Sequence, residues 1–104
     1  METYLQTAWG DQWDNVSTDT VKMAIEGLKK MDDEHGVFWV GLIKKGEENI
    51  FQVNKKLGLI AVFEDNPEIE YKGQGKDWNE IESLFEIFLA DKMDTIRARL
   101  RKAE

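Results

Sequence analysis

The residue types that most often carry catalysis are scarce in this chain of 104 residues. Cysteine is absent, so thiolate nucleophiles, disulfides and cysteine-ligated zinc sites are excluded. His35 is the single histidine, and a Ser-His-Asp triad would therefore depend on it alone. It lies near a predicted helix end, where histidine more often contacts the last carbonyl groups than takes part in a reaction. We expect no catalytic residues and no enzymatic activity.

Three segments carry ligand-type residues without the spacing that binding requires. The side chains of Asp32–His35 point around a predicted helix instead of converging on a metal ion. Gly73–Gly75 supplies two of the three glycines of a dinucleotide-binding loop, and the acid at Asp77 would repel a pyrophosphate. The segment Glu64–Glu68 lacks the Asp-x-Asp-x-Asp-Gly spacing of a calcium loop. We therefore expect neither a metal ion nor a cofactor.

The charge balance disfavours several classes of partner. Fourteen lysine and arginine residues stand against 21 aspartate and glutamate residues, which gives a net charge of −7. Nucleic-acid binding depends on neutralising phosphates, so a negative protein is poorly suited to it. The sequence contains no stretch of 18 or more apolar residues, which is the length needed to span a bilayer. The segment Met1–Gln6 lacks the basic and apolar regions of a signal peptide. We expect one domain over residues 1–104, located in the cytoplasm, that binds neither nucleic acid nor membrane.

The first predicted helix is defined by apolar residues at helical spacing. Ser17 or Thr18 can cap its beginning with a side-chain oxygen. The apolar stripe comprises Val21, Ala24, Ile25, Leu28 and Met31. Glycine can adopt the left-handed conformation that often ends a helix, so we expect this one to stop near His35–Gly36.

The second predicted helix begins at Asp77, which is followed three residues later by Glu80 in a capping-box arrangement. Apolar residues continue at helical spacing to Leu100, which predicts a long amphipathic helix. This helix would be divided if Asp91 caps a separate final segment. The residues from Asp91 to Glu104 are expected to form a helical tail.

Five short segments predict strands, at Thr3–Trp9, Val37–Ile43, Ile50–Asn54, Leu59–Phe63 and Glu68–Lys72. The apolar run of the second segment is typical of a central strand, and its Trp39 is expected in the core. Gly10–Asn15 is predicted to be a loop and Gly73–Lys76 a flexible connector. Short connections favour antiparallel hairpins. The order β-α-β-β-β-β-α predicts an α+β fold in which two helices pack on an antiparallel meander of about four to five strands.

Charge is distributed unevenly along the chain. Residues 1–96 contain ten basic and twenty acidic side chains, whereas residues 97–104 contain four and one. The basic residues at the end suit the negative end of the last helix dipole, and they are Arg97, Arg99, Arg101 and Lys102. The acids are compatible with ordinary solubility charge or with a surface that docks a basic partner.

Aromatic residues beside acids mark a candidate contact surface. Trp9 and Trp13 flank an acidic turn, where they could either close the core or anchor a partner. The acids that follow the third strand of the meander could extend the same negative surface. The candidate partner-binding residues are Trp9, Asp11, Trp13, Asp14, Glu64, Asp65, Glu68, Glu70 and Tyr71.

Several of these features occur together in one family of known proteins. They are the early Trp9, the helix entry Val16–Val21, the glycine-separated strands and the late segment Phe88–Ala90. In this combination the chain resembles the small acidic immunity proteins of bacterial polymorphic toxin systems. It is similar in particular to the family that includes inhibitors of secreted nucleic-acid deaminase toxins.

The resemblance implies a bacterial protein that binds a cognate toxin in the cytoplasm of the producing cell. It would neutralise the toxin by covering its active site or substrate surface. Toxins that act on nucleic acids are typically basic, so an acidic inhibitor would associate with them quickly. We expect a monomer or a weak homodimer. The alternatives are a structural or adaptor module that self-associates through the long C-terminal helix, and a small-ligand or enzymatic domain that uses a pocket between sheet and helix.

Overall fold

In residues 1–102, which the computed structural model describes, seven strands form one sheet and three helices pack against one of its faces. The elements are β1 (Glu2–Thr7), β2 (Gln12–Asp14), α1 (Thr18–Lys29), β3 (Val37–Lys44), β4 (Glu47–Asn54), β5 (Gly58–Val62), β6 (Glu70–Gln74), α2 (Trp78–Leu89), α3 (Met93–Arg99) and β7 (Arg101–Lys102). Neighbouring strands are all antiparallel, in the order β2-β1-β3-β4-β5-β6-β7. The predicted α+β class with an antiparallel sheet is confirmed, whereas the predicted numbers of strands and helices and their order are wrong in detail.

Helix α1 begins at a reciprocal capping box and ends earlier than the sequence indicates. The Ser17 hydroxyl accepts the Thr20 N–H at 3.3 Å, and the Thr20 hydroxyl accepts the Ser17 N–H at 3.1 Å. The helix ends at Lys29, so the prediction of an end near His35 is wrong. The Asp32 carboxylate accepts the backbone N–H of His35 at 2.8 Å, which stabilises a turn in place of further helix.

Helix α2 begins as predicted, but it does not continue to the end of the chain. The Asp77 carboxylate accepts the Glu80 N–H at 2.8 Å, and the Glu80 carboxylate accepts the N–H of the residue before Asp77, also at 2.8 Å. Helix α2 ends at Leu89, and Asp91 follows in the left-handed region with φ of 63°. Asp91 therefore terminates α2 instead of capping α3. The sequence left open whether the long helix is divided near Asp91, and the structure divides it there into α2 and α3. Residues 103–104 of the predicted helical tail lie outside the described residues.

The Arg99 guanidinium joins α3 to both α2 and β6. It donates to the two carboxylate oxygens of Glu80 at 2.9 Å each and to the backbone oxygen of Gln74 at 2.7 Å. Hydrogen bonds from Arg99 and from the backbone of Lys76 stabilise the charged carboxylate, which lowers the pKa of Glu80 to about 2. These contacts hold the end of α3 where the chain can pair with β6 as β7.

Two short outer strands replace segments that were predicted to be irregular or helical. Strand β2 lies within the predicted loop Gly10–Asn15 and pairs with β1. Strand β7 contains Arg101–Lys102, which were predicted to close the last helix. Gly73–Gln74 belongs to β6 and is not a flexible connector, whereas Glu68–Ile69 precedes this strand. Strands of two or three residues are too short to show alternation, and they form because longer neighbours offer hydrogen-bonding partners.

The core lies between the helices and the facing side of the sheet, with Phe85 of α2 near its centre. The Phe85 ring lies 5.3 Å from that of Phe38 and 4.6 Å from that of Phe51, and Phe51 also contacts Phe88 at 5.5 Å. Trp39 was expected in this core, and that prediction is wrong. It is half-buried on the opposite face of the sheet, because β3 is apolar on both sides and only alternate residues can face the helices.

Candidate protein-binding surface

The structure places the two early tryptophans on the helix side of the sheet, partly buried against the core. The Trp9 ring lies so close to Gly27 of α1 that a Cβ atom there would be 3.0 Å from it. Its indole N–H donates to the Asp11 carboxylate at 2.9 Å. Trp13 stands opposite the buried Leu5 in the adjacent strand. Both rings therefore contribute to packing and expose only part of their surface.

Tyr71 and Glu70 are neighbours in β6 but lie on opposite faces of the sheet. Tyr71 is on the helix side, where its ring meets that of Phe63 edge-on at 5.1 Å. The Arg97 guanidinium covers both rings, at 4.4 Å from Phe63 and 5.5 Å from Tyr71. Glu70 is exposed on the face without helices, and Glu68 is exposed in the preceding turn. These residues accordingly cannot all contact one flat partner surface.

The candidate residues form two groups that are far apart. Strands β2 and β6 are separated in the sheet by four other strands, which corresponds to about 24 Å at the usual strand spacing. Trp9–Asp14 lies at one side of the sheet, and Glu64–Tyr71 lies towards the other. The structure brings Glu64 and Asp65 together with acids from elsewhere in the chain, and this group is the stronger candidate site.

Glu64 and Asp65 line a cleft of about 390 Å³ at one end of the sheet. The cleft lies between the β3–β4 turn, the segment after β5 and the connection from α2 to α3. We call it the acidic cleft, and its charged residues are Glu47, Glu64, Asp65, Asp91, Asp94, Lys44, Lys45 and Arg97. Five carboxylates thus stand against three cations, which leaves a local excess of negative charge.

Two of the cations are already bound to carboxylates within the cleft. Arg97 donates to Asp65 at 3.0 Å, and Lys44 donates to Asp91 at 2.8 Å. The Asp91 hydrogen bond and charge raise the pKa of Lys44. Among the ion pairs formed within residues 1–102, none involves Glu47 or Glu64. Outside ion pairs within the described residues, the cleft therefore holds the carboxylates of Glu47, Glu64 and Asp94 against the single ammonium of Lys45.

The carboxyl group of Glu64 lies close to that of Glu47 at the edge of the acidic cleft. The pKa of Glu64 is raised because its carboxyl group hydrogen-bonds with that of Glu47, is partly shielded from water and lies near other acids. The buried Asn49 fixes this arrangement, since its side-chain oxygen accepts the Glu64 N–H at 2.9 Å. At neutral pH the two carboxylates repel each other, and a cationic side chain from a partner would relieve that repulsion.

Sequence reasoning identified Glu64 and Asp65 but missed the other acids of the cleft. Glu47 was assigned to a turn, and Asp91 and Asp94 were assigned to a helix. The three segments are separated by more than fifteen positions each in the chain, so no linear spacing connects them. The available signal was that each connecting segment carries acids, and only the sheet order shows that these connections meet at one end.

Two further findings concern metal binding and membrane crossing in the described part of the chain. No group of three or more histidine, aspartate or glutamate side chains in the described part of the chain is arranged to hold a metal ion. The helices found between residues 1 and 102 are too short and too polar to cross a bilayer. The acidic cleft presents charged side chains and an open entrance, which suits contact with a basic surface.

Known proteins give no further identification. Comparisons of this chain with protein-family models, with curated proteins and with solved structures find no match.

Proposed function

We propose that this protein is a bacterial immunity protein that binds and neutralises a cognate toxin in the cytoplasm of the producing cell. It would act stoichiometrically, covering the active site or substrate surface of the toxin without carrying out a reaction. The observation that supports this proposal is the acidic cleft, in which neighbouring carboxylates raise the pKa of Glu64 and remain available to a basic partner. The resemblance of the sequence to acidic immunity proteins points to the same function.

The charge of the protein would act mainly on the rate of association. A negative surface attracts a basic protein over a distance of about 10 Å at moderate ionic strength, and this attraction weakens as salt is added. Glu47 and Glu64 would contact lysine or arginine side chains of the toxin and regain the stability that their mutual repulsion removes. Because toxins that act on nucleic acids are typically basic, this surface suits such a partner.

The proposal can be tested with a candidate toxin domain taken from the genes that neighbour the gene of this protein. The two purified proteins are mixed at increasing ratios, and toxin activity and binding affinity are measured in 50 mM and 300 mM salt, which are about a factor of two apart in screening length. We expect full inhibition near one inhibitor per toxin. Toxin that stays fully active at a several-fold excess of this protein would refute the proposal.

A matched pair of charge reversals tests the cleft as the contact site. Glu64→Lys is expected to weaken binding by about tenfold, mainly through slower association, and to reduce the dependence on salt. Glu34→Lys changes the net charge equally at an exposed residue far from the cleft and should alter affinity by less than about twofold. Equal effects of the two variants would show that only net charge matters and would exclude the cleft as the specific contact.

The alternative of self-association through a long C-terminal helix finds no support in the fold. Asp91 separates α2 from α3, and the apolar residues of both helices are part of the core. An adaptor module of that kind would need an exposed apolar helix surface. We therefore prefer the toxin-binding proposal to self-association through this helix.

A further inference from the structure

The face of the sheet opposite the helices carries apolar side chains in its three middle strands. We call this surface the open face. Trp39 of β3 stands opposite Gln52 of β4, which stands opposite Ile60 of β5. In the next row Ile50 of β4 stands opposite Val62 of β5. All five are half-buried, and none belongs to the core cluster or to the partly buried residues packed against it.

These side chains surround a shallow hollow of about 370 Å³. It is lined by Trp39, Ile50, Gln52, Ile60, Val62 and Glu70, and we call it the apolar hollow. The solvent-facing side of an antiparallel sheet is normally polar. A concave group of a tryptophan and three β-branched aliphatic residues departs from that rule, and contiguous apolar patches of this kind mark interaction sites.

The aromatic side chains of the open face are fixed before any partner arrives. The Trp39 indole N–H donates to the side chain of Gln6 at 3.0 Å. The Tyr4 ring lies flat over Gly41, where a Cβ atom would be 2.1 Å from it, and its hydroxyl donates to Glu48 at 2.8 Å. A surface whose rings are already held loses less conformational entropy on binding.

The charges around the hollow indicate which partner fits. Glu70 lines it, and the Glu70 carboxylate lies 3.8 Å from the ammonium of Lys72, which stands opposite Ile60 on the same face. Glu48 borders the open face at the β3–β4 hairpin, next to Glu47 of the acidic cleft, and forms no ion pair within residues 1–102. The open face and the acidic cleft therefore meet at one hairpin. A lysine or arginine beside an apolar residue could place its stem in the hollow and its charge against Glu48.

We propose that the open face is a second docking surface, which receives an apolar segment of a partner protein flanked by lysine or arginine. The inference rests on the proposed function in naming the toxin as that partner. The toxin would place basic side chains in the acidic cleft and an apolar segment in the hollow. Burial of Trp39 at the centre, with polar and charged residues around it, would supply the main apolar contact.

A peptide experiment tests the surface without the toxin. Peptides that bind the wild-type protein are selected from a random displayed library, and their contacts are mapped by the NMR shift of the Trp39 indole N–H. We expect selected peptides to combine aliphatic or aromatic residues with lysine or arginine, and to shift that signal. Acidic peptides, or shifts confined to the helices, would overturn the inference.

Matched substitutions then measure the apolar contact. Ile60→Thr keeps a β-branched side chain but removes apolar surface from the hollow, and we expect about tenfold weaker binding of the peptides and of the toxin domain. Met23→Thr removes an exposed apolar side chain from α1 instead, and should change neither. Thermal unfolding by circular dichroism verifies that both variants fold. Equal affinity of the two variants would refute the open face as a docking surface.

The results separate this inference from the proposed function. If wild-type protein inhibits the toxin and Ile60→Thr inhibits it equally well, the open face is excluded while the proposed function stands. If the toxin is not bound at all, the proposed function fails. The peptide experiment still shows whether the open face is a docking surface. A wild-type dimer in sedimentation analysis that dissociates with Ile60→Thr would show that a second copy occupies the face, which overturns the inference.

Discussion

Removal of the charge on Glu80 should reveal how strongly Arg99 holds the C-terminal elements to the sheet. We consider Glu80→Gln, which keeps the shape of the side chain and one hydrogen-bond acceptor for the guanidinium. The pKa of Glu80 is lowered from 4.5 to about 2 by its hydrogen bonds, and this difference corresponds to at most about 3 kcal/mol of stabilisation. Because the side chains of Arg99 and Glu80 are 33% and 27% exposed, solvent screening reduces the expected loss of unfolding free energy to about 1–2 kcal/mol.

The loss of stability caused by Glu80→Gln should decrease at low pH. A carboxyl group whose pKa is lower in the folded state stabilises the protein above its unfolded pKa, here 4.5. That stabilisation decreases as the pH falls from 4.5 towards 2, where the folded carboxylate becomes protonated. The difference in unfolding free energy between wild type and Glu80→Gln should therefore be constant near neutral pH and shrink steadily below pH 4.5.

Urea unfolding followed by tryptophan fluorescence provides the assay. At pH 7 we expect the midpoint of Glu80→Gln to be lower by roughly 1 M, since a small domain loses about 1–2 kcal/mol per molar urea. Glu34→Gln removes an exposed carboxylate that forms no ion pair within residues 1–102 and serves as the control. A difference in urea midpoint between wild type and Glu80→Gln that stays the same from pH 7 to pH 3, or that equals the difference for Glu34→Gln, would show that the contact between Arg99 and Glu80 does not stabilise the fold.

Three further variants test the described contacts. Glu64→Gln should raise the urea midpoint at pH 7, because the raised pKa of Glu64 reflects repulsion of its charged form; the gain should vanish below pH 4.5, and a lower midpoint at pH 7 would contradict it. Gly41→Ala should displace the Tyr4 ring and destabilise the fold by about 1–3 kcal/mol. The same variant should bring the pKa of Tyr4, raised to about 12 by burial and the Glu48 hydrogen bond, back towards 10, as measured by ultraviolet titration; an unchanged pKa would mean that the ring has not moved. Asp11→Lys tests the separate group at β2: binding of the toxin domain weakened as much as by Glu64→Lys would place both groups in the contact.

Local signals in the sequence predicted the elements whose formation depends on nearby residues. The acid at Asp77 caps α2 because its acceptor lies three residues from the N–H it binds. The apolar run of β3 is long enough to identify a strand without knowledge of its neighbours. In contrast, β7 follows directly after a helix whose end is bound to Glu80 through Arg99, nineteen positions later in the chain, and no local pattern contains that contact.

The candidate site shows the same limit in its electrostatics. The acid content predicted a negative surface, and Glu64 and Asp65 were included in it. Their partners in the cleft became evident only from the turn at Asp91 and from the sheet order, which bring separate connections to one end. The position of Trp39 was missed because a continuous apolar run predicts a strand that is covered on both faces. Strand β3 is covered by helices on only one face, and Trp39 lies on the other.

The short outer strands have a consequence for how another protein can approach this sheet. In the described residues the sheet is bounded by β2 with three residues and β7 with two, and the backbone oxygen of Gln74 beside β7 is occupied by Arg99. A polypeptide that tried to lengthen the sheet by backbone hydrogen bonds would find few free groups in register. Such pairing ignores sequence, since every peptide carries the same amides. Because the sheet edges offer little pairing, a partner must bind to the broad faces of the protein. Recognition there depends on side-chain shape and charge, which allows one partner to be distinguished from its relatives.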